Sequence, residues 1–173
     1  MIQSPEGIPA AIEYIANYMM IAAQTAPKGR GMDNLLIKLV TEEEKTALIV
    51  KMKEIGEKAN VAFFLRDAEN LTFSQQIILI GTKTGSRGLD CGLCSYAYCK
   101  DKPQLSPCIF NTIDVGIALG SAVSSAMQFK TDNRIMYSAG KAAMELKILG
   151  ENAVCIFAIP LSVSEKNIFF DRG

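Results

Sequence analysis

Apolar residues Ile8, Ile12, Ile15, Met19 and Ala22 recur at helical spacing, and the Ser4 and Pro5 pair ahead of them is a helix start. The pattern predicts a first helix with one buried face. Tyr18, Met20, Ile21 and Ala23 widen that face beyond one stripe, which asks for cover from a sheet and from a partner subunit. Pro27 ends the helix. Residues 35–40 then form an apolar run of strand length. Thr41 stops the run and stands in capping-box spacing with Glu44, and the glutamates at 42–44 sit where the helix dipole favours anions. In the helix that follows, Leu48, Met52, Ile55 and Ala59 give the buried stripe, while Lys45, Lys51, Lys53 and Glu57 face water.

Residues 61–65 read as a strand or a short buried turn, and residues 66–70 as a salt-bridged corner whose carboxylates also admit a catalytic role. Residues 77–80, Ile-Ile-Leu-Ile, are the strongest strand pattern. An unbroken apolar run closed by Gly81 implies cover on both faces and a central place in the sheet. Residues 111–127 predict a helix crowded with small side chains. Gly is costly inside a helix, so Gly116 and Gly120, four apart on one face, call for close approach of another backbone. Two readings stand: packing on the sheet, or a helix pair across a dimer axis. The triplet Asp132, Asn133, Arg134 opens a further helix over 135–149, ended by Gly150. Residues 154–159 are a buried strand ahead of Pro160, with Cys155 as a packed core thiol. The tail ending Phe169, Phe170, Asp171, Arg172 is too apolar to be a free end, and it is expected to dock on the body or on a neighbour. The order of elements predicts an α+β fold, a mixed sheet flanked by helices, as a single domain over 1–173 with a Cys-rich loop at 88–110.

Composition narrows the function. With 49% hydrophobic residues in 173, the chain can close one core of its own. The 18 basic and 18 acidic residues cancel, which argues against nucleic acid and against an anionic membrane surface as partners. No unbroken apolar run long enough for a membrane span stands out, and the first residues carry no basic leader, so the expected location is the cytoplasm.

Four of the five cysteines, Cys91, Cys94, Cys99 and Cys108, fall within one short stretch, and there is no histidine. The missing imidazole removes mixed Cys/His zinc fingers, Rieske centres and Ser/His or Cys/His catalysis together. In a reducing compartment clustered thiols read as metal ligands rather than disulfides. Four thiolates can close a tetrahedral zinc site or hold an iron-sulfur cluster. The spacing, a CxxC pair, then Cys99, then Cys108, matches neither common ferredoxin pattern, and the second CxxC of a zinc ribbon is absent. Tyr96, Tyr98, Leu105, Ile109 and Phe110 would supply an apolar shell to either metal. Elsewhere, the loop Pro27-Lys28-Gly29-Arg30-Gly31 sets two cations between open backbone, a cradle for an anion such as a cofactor phosphate. The same residues also read as a basic solvated turn.

Several stretches taken together are similar to a known family. Residues 25–34, 64–70, the cysteine loop, 111–121, 132–138 and 169–172 resemble the uncharacterised ferredoxin domain-containing proteins of bacteria and archaea, over nearly the whole chain. That resemblance implies an iron-sulfur cluster on the four cysteines. A more distant likeness is to flavin-dependent nitroreductases: a helix ending at Ala26 and Pro27 with Asn34 just beyond, a later helix of small residues, and a strand ending at Ile159 and Pro160. It implies a nitroreductase-like α+β homodimer, with FMN as a cofactor at the subunit interface and an FMN-dependent oxidoreductase activity. Lys28, Arg30, Asn34 and Lys166 are the positions that would hold the flavin.

Two functions follow. One is a redox protein whose iron-sulfur cluster serves an electron-transfer partner or a flavin. The other is a non-enzymatic protein-binding module in which structural zinc, or the free thiols, only staple the loop.

Overall fold

β2 (Gln76–Lys83) runs through the middle of the molecule, and residues 77–82 are buried without a break. The computed structural model describes residues 4–104 and 106–170. Strand order is β1 (Leu35–Leu39), β2, β4 (Ala153–Ser162), β3 (Asp132–Asn133), and all three pairings are antiparallel. The expected α+β class is present, but the sheet is antiparallel rather than mixed.

Alternation along β2 divides the core. Ile77 and Leu79 point into one apolar cluster, built with α2 (Glu42–Ala59), α3 (Ala62–Phe73) and α5 (Tyr137–Glu145). Ile78 and Ile80 point into the other, built with α1 (Ser4–Thr25) and α4 (Ile109–Gln128). Side chains alternate across a strand, so one apolar quartet seats two helical layers.

Local chemistry sets the boundaries. The Thr41 hydroxyl accepts the Glu44 amide at 3.2 Å, and the Glu44 carboxylate accepts the Thr41 amide at 3.1 Å. These are the two halves of the expected capping box. Of the stripe expected on α2, Leu48 and Met52 are fully buried, whereas Ala59 is exposed and Gly56 is buried instead. A methyl on Gly56 would stand 3.0 Å from the Phe64 Cβ, so glycine lets α3 close on α2.

Residues 61–65 are not a strand. They open α3, on which Phe64, Ala68 and Leu71 are buried at helical spacing. Arg66 and Asp67 do form the expected ion pair, at 2.7 Å. The Asp67 carboxylate also takes the Ser138 hydroxyl at 2.6 Å, which is what allows a charged residue on the buried face. The helix expected over 135–149 is shorter. Asp132 and Asn133 are drawn into the sheet as β3, and Met136 bridges Ala158, so α5 begins only at Tyr137.

β4 runs through Pro160 to Ser162. The Ala158 amide faces the β3 edge, donating to the Met136 carbonyl at 3.1 Å. Pro160, two residues on, turns its missing donor to that same edge, where no ladder bond is required. Opposite Gly81 the register slips, and Cys155 adopts φ 53 there, a bulge with two residues facing one. Cys155 is half-buried, and burial pushes its thiol pKa above the usual value. The tail docks as expected: Phe169 is 2% exposed in the first core cluster, and the Arg134 guanidinium lies over the Phe170 ring. Leu105, Asp171 and Arg172 lie outside the described residues.

A cysteine loop clamped at its neck

The cysteine loop leaves the end of β2 and returns at the start of α4. Its neck is a parallel bridge between Gly85 and Pro107. Beyond the neck the chain is held by isolated turns. The Ser95 amide donates to the Gly92 carbonyl at 3.0 Å, and Lys102 to Cys99 at 3.3 Å. Gly88, Asp90, Gly92 and Ser95 all have positive φ. Around the CxxC pair, Gly92 adopts the left-handed region that glycine tolerates without strain.

The four thiols sit in graded environments. Cys91 is exposed, Cys94 and Cys99 are half-buried, and Cys108, the residue capping α4, is buried. The Cys99 thiol accepts the Asp90 amide at 3.4 Å, while the Cys99 amide donates to the Asp90 carboxylate at 2.6 Å. Cys99 also lines a cavity of about 230 Å³ with Gly85, Ser86, Lys102 and Gln104. As a donor set, four thiols without imidazole fit a soft metal or a cluster. Their positions here do not close one: among the described residues no group of three or more Cys, Asp or Glu side chains stands ready to hold a metal ion.

What organises the neck is a residue the sequence pattern did not single out. Arg87 is 3% exposed. Its Nε donates to the Asn111 side chain at 2.7 Å, and one terminal nitrogen donates to the Gly29 and Met32 carbonyls, each at 2.6 Å. The other terminal nitrogen pairs with the buried Asp114 carboxylate, whose second oxygen accepts the Gly29 amide at 3.0 Å. The available signal was Asp114 itself, the only charged residue of α4. A lone carboxylate in an apolar helix needs a partner.

The flavin candidates divide. The Lys28 amine caps the end of α1, donating to the carbonyls of Gln24 and, at 3.0 Å, Ala26. Arg30 is exposed, with one nitrogen donating to the Arg87 carbonyl at 2.7 Å. Asn34 joins the neck through Asn111 at 3.3 Å. Lys166 lies elsewhere, beside Asn167, which donates to Asp132 beyond the far end of α4. The basic loop does meet the start of α4, where Gly29 donates to Asp114, and Arg87 fills the contact between them.

Gly116 and Gly120 bear on the sheet-packing reading of the small-residue helix. Among the described residues, a methyl built on either would meet nothing within 4 Å. With Ile113, Ile117, Ser124 and Met127 they form an exposed face, so packing within the chain does not explain them. By length and composition α4 could cross a membrane. Its other face is packed on α1 and the sheet and holds the Asp114 ion pair.

A family model described as an uncharacterized protein containing a ferredoxin domain matches residues 105–172. An uncharacterized protein of Archaeoglobus fulgidus is 38% identical over 173 residues, covering 94% of this chain and 92% of the relative. The chain belongs to the family of uncharacterized proteins containing a ferredoxin domain. Of the four loop cysteines, the span matched by the family model includes Cys108 alone.

Among solved structures, the nitroreductase CinD of Lactococcus lactis, determined with nicotinic acid, aligns with a TM-score of 0.63 at 12% identity, over 89% of this chain and 79% of that one. The NADPH:FMN oxidoreductase of Vibrio harveyi, determined with NAD+, aligns at 0.57 and 11% identity, over 90% of this chain and 61% of that one. The family member described here thus has the nitroreductase fold, and it spans about three-fifths of the Vibrio enzyme.

Proposed function

We propose that this protein is a cytoplasmic redox protein, one domain whose loop at 88–110 binds an iron-sulfur cluster through Cys91, Cys94, Cys99 and Cys108. The observation that carries this reading is the gathering of four of five cysteines on one neck-clamped loop in a chain of ferredoxin-domain family and nitroreductase fold. When bound, the cluster would supply one-electron exchange. Cys108 is the buried, helix-anchored donor, and Cys91, Cys94 and Cys99 come from the arc that must close around the metal. Leu89, Leu93 and Tyr98 are exposed on that arc, an apolar face suited to an electron-transfer partner.

The exposed stripe of α4 supports a homodimer. Gly116 and Gly120 flank the middle of the helix. If two copies cross there antiparallel, each α4 start lies beside the other's end. Lys166 of one protomer would then approach Lys28, Arg30 and Asn34 of the other. Any FMN site built from these residues is therefore shared between subunits, which makes an FMN-dependent oxidoreductase the finer form of the proposal.

Anaerobic purification with iron, sulfide and zinc analysis tests the core claim. Iron and sulfide in matching amounts, with thiolate-to-iron absorbance, are expected. Stoichiometric zinc in colourless protein would instead establish the second reading, a protein-binding module with a stapled loop, which the exposed apolar arc also suits. Flavin binding is read separately by fluorescence quenching of added FMN, and light scattering gives the mass of the assembly.

A further inference from the structure

We propose that Arg87 is a positioning residue that seats Cys108 as the fixed thiol of the loop. A buried guanidinium costs several kcal/mol unless it is fully paired, and here it is paired across two segments, the turn at 29–32 and the start of α4. It bonds the turn at Gly29 and Met32, the side chains of Asn111 and Asp114 on α4, and through its own carbonyl Arg30. Cys108, Asn111 and Asp114 follow one another at helical spacing, so they form one line along the start of α4. Two of the three are gripped by Arg87. The third, Cys108, is 5% exposed, whereas Cys91 is exposed and Cys94 and Cys99 are half-buried.

Arg87 also stands two residues past Gly85, which bridges Pro107, the residue before Cys108. Asn111 completes the join, donating to the Lys83 carbonyl at 3.3 Å. Both ends of the loop are therefore fixed to the same helical turn, and Cys108 is held whatever the arc carrying the other cysteines does. The metal-binding role of this arrangement rests on the reading above. The seating of Cys108 does not, and it can be tested on metal-free protein.

The variant Arg87→Met with Asp114→Leu removes both charges, so neither is left buried alone; circular dichroism and urea melting establish that it folds. Iodoacetamide labelling followed by mass spectrometry reads each thiol. In wild type, Cys91 is expected to react first and Cys108 to be protected. In the double variant Cys108 should react about ten-fold faster or more, with the Cys155 rate unchanged. A Cys108 rate within about two-fold of wild type would overturn the proposal, and so would equal acceleration of Cys108 and Cys155, which is general loosening.

Should the double variant not fold, Arg87→Lys gives the same readout, because lysine can meet Asp114 but cannot span Asn111 and both carbonyls. A parallel arm loads wild type with iron and sulfide, or with zinc, and follows release to a chelator. Uptake with about ten-fold faster release from Arg87→Lys supports positioning of the ligand. Unchanged release from a folded Arg87→Lys counts against it. Absence of uptake by wild type removes the metal reading alone, and the labelling result still decides the seating of Cys108.

Discussion

β2 and the cysteine loop are consecutive in the chain and are held in opposite ways. Along β2, residues 77–82 are buried, and the strand is paired on both sides. Past Arg87, the described residues of the loop are held by short turns and the Asp90 to Cys99 bonds, and Leu89, Leu93 and Tyr98 are exposed. Burial and strand pairing are concentrated in the first region, and four of the five thiols lie in the second. A loop that contributes little to folding is free to change shape around a ligand, provided something rigid holds its ends.

The sharpest way to break this contrast is at the neck, where the two regions meet. Asp114→Leu alone leaves the Arg87 charge buried without its partner, and urea unfolding should show a loss of about 3–5 kcal/mol. Within the body, Leu79→Ala empties a fully buried site and should cost about 2–5 kcal/mol in the same assay. At an edge of the body, Thr41→Ala removes half of the capping box and should cost about 1 kcal/mol.

Glu44 gives a pH signature. Burial alone would push its carboxyl up, but the hydrogen bonds from Lys38 and Thr41 and the Lys38 charge outweigh it and hold the group below its ordinary 4.5. A lowered folded value means that the stabilisation is present above about 4.5 and is lost as pH falls through the folded value. The melting difference between wild type and Glu44→Gln should shrink over that acid range. The smallest effect belongs to the loop. In metal-free protein Cys91→Ser should leave stability within about 0.5 kcal/mol of wild type, while metal analysis of the loaded protein shows reduced content. A large loss of stability in that metal-free variant would erase the distinction between loop and body.

Legibility in the sequence followed the same division. The β2 quartet and the capping box are local patterns, and both stand in the structure, although β2 runs on through Gly81 to Lys83 instead of closing there. Residues 61–65 misled because Phe63, Phe64 and Leu65 mimic a strand when Arg66 and Asp67 are taken as a break. The helical period emerges only when Asp67 is allowed inside, and that depends on Ser138, 71 residues away. Residues 132–136 misled as the opening of a helix for a similar reason: pairing with β4, far along the chain, draws them into the sheet. The cysteine spacing was plain, but the neck was not. Arg87 finds its partners 24 to 58 residues away, beyond the reach of any periodicity. Only the unpaired look of Asp114 in an apolar helix pointed toward it.

The bridge between Gly85 and Pro107 has an evolutionary consequence. Because the two ends of the arc lie side by side, a lineage could lengthen, trim or exchange the intervening segment by recombination while the sheet and its helices keep their inheritance. A chimaera carrying a foreign arc between Arg87 and Pro107 should therefore still fold, and it would make the binding repertoire of this scaffold a matter of cassette rather than of core.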